Sequence, residues 1–74
     1  MNFASALISM QRGHKVRRHH WTGYWMISDN EIIMYTYNNE AINIRDSKDM
    51  LYTVSNMACD DWEIADTYGA NKEL

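Results

Sequence analysis

Between Gly13 and Gly23 the chain reads Gly-His-Lys-Val-Arg-Arg-His-His-Trp-Thr-Gly, which sets Lys15, Arg17 and Arg18 beside Trp21. A guanidinium presents a planar fork of donors that matches phosphate oxygens, and an indole face stacks on a purine ring. The run therefore has the chemistry of a site for an anion joined to a flat ring. Tyr24 and Trp25, directly after Gly23, add two more ring faces. The same residues also admit a structural reading, with Trp21 in a core and the cations on a solvated surface.

The charge distribution narrows the partner. No acidic residue precedes Asp29, while Arg12, Lys15, Arg17 and Arg18 do; from Asp29 onward ten acids face only Arg45, Lys48 and Lys72. A chain with net charge −3 is poorly suited to polymeric nucleic acid, which needs a broad cationic track to release counterions. A small phosphate-bearing molecule needs only a local cluster. Pairing of the two oppositely charged segments on folding is the alternative.

Other chemistries find less support. His19 and His20 are adjacent, so on extended backbone they point to opposite faces and make a poor metal clamp. There is one cysteine, Cys59, and so neither an internal disulfide nor a cysteine-pair zinc site. Asp60 and Asp61 are the nearest paired carboxylates, and their adjacency suits turn and strand geometry better than an acid and base flanking one bond. A glycine-rich phosphate loop and a Gly-x-Ser-x-Gly elbow are both missing. We expect no catalytic constellation, no metal and no cofactor.

The elements that must hold these residues follow from periodicity. Asn2 suits an N-cap, Phe3, Ala6, Leu7 and Met10 recur on one helical face, and Gly13 supplies the C-terminal stop, which predicts a helix over 2–12. A short strand over 14–18 follows, with Val16 and Arg18 on one face and Lys15 and Arg17 on the other. An inward-leaning Arg18 must meet a carboxylate, with Asp60 and Asp61 as candidates, or a ligand anion. Tyr24–Ile27 and Glu31–Thr36 flank the turn residues Ser28-Asp29-Asn30 as a hairpin, and 41–45 alternates as a further strand. Residues 46–59 are ambiguous; a strand near 50–53 and then a short helix capped by Ser55 and ending at Cys59 is the expectation. A last strand covers 61–65. The whole is an α+β domain over 1–66, an N-terminal helix on a small antiparallel sheet of about four to five strands with a short second helix before the last strand, and 67–74 is a polar tail.

A chain of 74 residues buries only about 60% of its unfolded surface, so its own core is marginal. Without covalent or metal staples, self-association is the remaining aid, and nine aromatics with six methionines supply apolar surface for it. No apolar run reaches the 18 or so residues of a membrane span, and the first residues lack the basic and apolar regions of a secretion signal. A cytoplasmic location is expected.

The order Phe3-x-x-Ala6-Leu7, Gly13-x-x-Val16-x-Arg18-x-x-Trp21-x-Gly23 and Ala58-x-Asp60-Asp61-Trp62-Glu63 resembles the small phage-encoded Thoeris anti-defence proteins of the second type. The likeness runs from residue 3 to about residue 64, with its motif residues at the two ends. It implies a homo-oligomer, a tetramer built from dimers, with ligand pockets at subunit interfaces. It further implies a sponge that binds and sequesters glyco-cyclic ADP-ribose without degrading it, and in some relatives cyclic dinucleotides. Arg18, Trp21 and Gly23 match the motif that borders the pocket. His20 and Asn56 depart from the family pattern, as does the lack of a proline-bearing loop. The expected ligand set is Lys15, Arg17, Arg18, Trp21, Gly23, Tyr24 and Trp25. A protein-binding inhibitor that uses its acidic part to block a host factor is the alternative.

Overall fold

The computed structural model describes residues 1–65, and the tail expected over 67–74 lies outside them. Helix α1 spans Phe3–Gln11. Asn2 caps it by accepting a hydrogen bond from the Ser5 amide. At its other end Gly13 adopts φ +94°, while its amide donates to Met10 O and that of His14 to Ser9 O. These two bonds satisfy carbonyls that the last turn leaves open, and the left-handed backbone is why a glycine stands there.

The strands are β1 (Val16–Arg18), β2 (Tyr24–Ser28), β3 (Glu31–Tyr35), β4 (Ala41–Asn43) and β5 (Trp62–Ile64). They form one antiparallel sheet in the order β4-β3-β2-β1-β5. The β2–β3 hairpin pairs Ser28 with Glu31 around Asp29 (φ 52°) and Asn30 (φ 62°). Positive φ at both turn residues gives the two strands the twist they need, and Asp and Asn tolerate it better than most residues.

Register divides the sheet into two faces. Val16, Trp25, Met34 and Ile42 are successive cross-strand partners, as are Val16 and Ile64, and Arg18 and Trp62. Helix α1 covers this face: Ala6, Met10, Val16, Trp25 and Trp62 are the buried core, with Phe3 and Leu7 packed against it. The opposite face carries Arg17, paired with Glu63, and Tyr24, paired with Tyr35.

The chain between β4 and β5 corrects the expectation. The strand stops at Asn43, whose side chain accepts from the Arg45 amide and turns Ile44–Asp46 into a 3₁₀ helix. Residues 50–53 are helix rather than strand, the first part of α2 (Met50–Met57). Its cap is Asp49, which accepts from the Tyr52 amide, and not Ser55; Cys59 lies beyond its end. Local capping wins here because a side-chain acceptor at Asp49 satisfies an otherwise orphaned amide, which period-two alternation at Met50, Tyr52 and Val54 does not offset.

Helix α2 also faces the reverse of an ordinary amphipathic helix. Thr53 and Asn56 are its buried residues, whereas Met50, Leu51, Tyr52 and Val54 are exposed, Leu51 to 79%. The inward polar groups are satisfied: Thr53 Oγ1 donates to Asp49 O and lies 2.8 Å from Ser47 Oγ, and Asn56 Nδ2 donates to Tyr52 O. Burial of a hydroxyl and an amide is tolerated only with such partners. No described helix is long and apolar enough to cross a membrane.

Candidate functional site

The cleft between the sheet and the segment leading into α2 forms an open cavity of about 630 Å³. That volume lies within the range of pockets that hold small organic ligands. Trp21, Trp25, Met34 and Ile42 form its apolar base, Gly23 and residues 35–37 one side, and residues 46–49 with Tyr52 and Thr53 the other. Cross-strand pairing of Trp25 with Met34 and of Met34 with Ile42 is what brings the base together from three strands.

Trp21 sits on the loop after β1, where its amide donates to Arg18 O. Its ring packs on Trp25 (centroids 5.8 Å, planes at 39°) and meets Trp62 edge-on (5.3 Å, 82°). One indole is therefore both a member of the core rim and a lining residue, only half-buried. Held by two other indoles, it offers a ring surface whose orientation is set before any ligand arrives, and this lowers the entropic cost of binding.

Gly23 has a steric role. A Cβ there would overlap the Tyr35 carbonyl oxygen and come within 3.1 Å of the Thr36 carbonyl carbon. The loop bearing Trp21 can approach β3 this closely only because position 23 has no side chain.

The cationic run is divided by the strand alternation. Arg17 lies on the far face, where Nε donates to Glu63 Oε2 (2.7 Å) and Nη1 to Trp21 O (2.6 Å). On the same face Lys15 Nζ lies 5.0 Å from the centre of the Tyr24 ring, which stacks on Tyr35 (4.7 Å, 21°). Arg18 grips Asp61 with two bonds, Nε to Oδ1 at 2.8 Å and Nη2 to Oδ2 at 3.1 Å, and donates from Nη1 to Asn56 Oδ1. Within the chain the expected residues Trp21, Gly23 and Trp25 come together on the cavity, and Lys15, Arg17, Arg18 and Tyr24 do not. Lys48 is the single cation among the described lining residues, beside Asp46 and Asp49.

The ion pairs shift their carboxyls. The Arg18 hydrogen bond holds Asp61 below its ordinary range and Asp61 in turn raises Arg18. Glu63 is lowered first by its hydrogen bond with His19, whose Nδ1 lies 3.0 Å away, and then by Arg17. Burial opposes all three shifts.

Sequence reasoning missed Met34, Tyr35, Ile42, Lys48, Tyr52 and Thr53. Met34 and Ile42 were legible from hairpin register, since they fall on the face of Trp25. Residues 46–53 were hidden by the wrong element over 50–53. Among the described residues no group of three or more His, Cys, Asp or Glu could hold a metal ion.

A family model described as Tad2-like, Thoeris anti-defense 2-like domain, matches residues 1–65. No curated protein matches, and no solved structure matches.

Proposed function

Because the chain belongs to the Thoeris anti-defense 2-like family, which is an anti-defence family and not a known family of enzymes, we propose that it is a phage sponge for the nucleotide signal of that defence. It binds glyco-cyclic ADP-ribose, or a cyclic dinucleotide, in the cytoplasm of the bacterial host and keeps it without cleavage. The observation that carries this reading is the cavity of about 630 Å³ whose base holds two pre-oriented indoles. A ring seats on Trp21, which Trp25 backs from the core, while Asp46 and Asp49 accept from ligand hydroxyls and Lys48 reaches a phosphate. Sequestration asks for slow release rather than stabilisation of a transition state, and stacking with charge-assisted bonds in a cavity closed by association supplies it.

One cation is few for a pyrophosphate. We therefore place the remaining phosphate contacts on a neighbouring subunit, whose Lys15, Arg17 or Tyr24 closes the cavity in a homo-oligomer, a tetramer in the fullest form, while Arg18 stays engaged within its own chain. The outward Met50, Leu51 and Val54 of α2 supply apolar surface for that association.

Isothermal titration with glyco-cyclic ADP-ribose and a panel of cyclic dinucleotides tests the reading, with binding expected for at least one and failure of all of them ending it. The heated complex should return the intact ligand; a cleaved product would identify an enzyme. Substitution Trp21→Ala should weaken binding by about 10- to 100-fold, the worth of one stacked base.

The exposed α2 face also suits a second reading, an inhibitor that docks on a host protein. Pull-down separates the two: Trp21→Ala would leave such a partner bound, whereas a sponge loses its nucleotide.

A further inference from the structure

Arg18 belongs to the run expected to meet a ligand, yet all three of its nitrogens are engaged within the subunit, two on Asp61 and one on Asn56. Asn56 is the hub of this arrangement. It is only 3% exposed, and each end of its amide is used: Oδ1 accepts from Arg18 Nη1 at 2.8 Å and Nδ2 donates to Tyr52 O at 2.9 Å. Its main-chain carbonyl accepts from Trp62 Nε1 at 3.0 Å. One residue thus ties α2 to β1 and to β5.

These ties matter because little else anchors the helix. Its apolar side chains Met50, Leu51 and Val54 point outward, and Met57 alone of its apolar residues packs against the core cluster. An apolar contact tolerates sliding, whereas charge-assisted hydrogen bonds fix distance and rotation together. The turn of α2 that precedes Asn56 carries Tyr52 and Thr53, which line the cavity together with Trp21 and Trp25.

We propose that Arg18 and Asn56 are positioning residues: they set how close α2 stands to the sheet, and so the width of the cavity, without touching the ligand themselves. The same guanidinium holds Asp61 just ahead of β5 through Nε and Nη2, while Nη1 alone makes the contact to the helix. Lysine cannot replace it, since an ammonium is a point charge without the planar fork. The consequence for binding rests on the sequestration reading; the clamp on α2 does not.

The test compares Arg18→Lys, Asn56→Ala and Asp61→Asn in the full chain. Asp61→Asn weakens the ion pair but leaves the Arg18–Asn56 bond, whereas the other two break it. Two readouts are taken well below melting: dissociation of glyco-cyclic ADP-ribose, and labelling of Cys59, the chain's single thiol and two residues beyond α2, by an aromatic disulfide reagent. In Arg18→Lys and Asn56→Ala both rates should rise about tenfold, the worth of one charge-assisted hydrogen bond. In Asp61→Asn melting temperature should fall while both rates stay within about twofold of the parent. Rates that simply follow melting temperature across the three variants would overturn the proposal, as would unchanged rates in Arg18→Lys. If the parent binds no nucleotide, the sequestration reading fails, and Cys59 labelling alone then decides whether the clamp exists. Should Asn56→Ala not fold, Arg18→Lys against Asp61→Asn carries the same comparison.

Discussion

Gly23 lies against the Tyr35 carbonyl so closely that the smallest side chain at position 23 would overlap it. The contact joins the loop bearing Trp21 to the end of β3 and sets one edge of the cavity. Gly23→Ala must therefore push the loop away from β3. We expect a loss of about 1–3 kcal/mol in urea denaturation, typical of overpacking, together with weaker nucleotide binding. Unchanged stability with unchanged binding would show that the loop yields freely.

Acid should destabilise the fold through two carboxyls. Asp61 and Glu63 have folded pKa values below their unfolded ones, so they stabilise the fold above the unfolded carboxylate range, near pH 4, and this is lost as pH falls through the folded values. Denaturant midpoints measured from pH 7 to pH 2 should decline below about pH 4, and the decline should be shallower in Asp61→Asn and in Glu63→Gln.

Trp62 is 2% exposed, and its indole N–H satisfies the Asn56 carbonyl. Trp62→Phe removes that donor and part of the ring volume. A cost of about 1–3 kcal/mol is expected from the unsatisfied acceptor and the space left behind. Thermal melts check it, and a variant as stable as the parent would mean that water or a shifted donor replaces the bond.

The exposed face of α2 should matter between molecules and not within one. Leu51→Lys and Val54→Lys alter residues that are 79% and 50% exposed, so each should change subunit stability by no more than about 0.5 kcal/mol. Sedimentation velocity should nevertheless show a smaller species for both. An unchanged assembly would place the contact elsewhere.

Much of this architecture can be read from residue order. The stripe of Phe3, Ala6, Leu7 and Met10 with Asn2 and Gly13 at its ends specifies α1, and Asp29-Asn30 between apolar runs specifies the hairpin, because caps and turns act over a few neighbouring residues. Helix α2 was less legible. Its apolar residues suggest an inward stripe, but Thr53 and Asn56 occupy the interior because their partners, Ser47 and Arg18, are brought there by the tertiary fold. The cavity was half legible for the same reason. Trp21, Gly23 and Trp25 announce themselves by type, whereas Lys48 and Tyr52 join them only through the path of the chain after β4.

The three tryptophans of the sequence are Trp21, Trp25 and Trp62, with ring centres 5.0–5.8 Å apart. No distant indole dilutes their light. Indole emission from this chain is consequently a report from the cavity and the core beneath it, and a purine settling on Trp21 would quench or shift most of that signal at once. The molecule carries its own optical titration, with no dye or tag between the arrival of a guest and the reading on the detector.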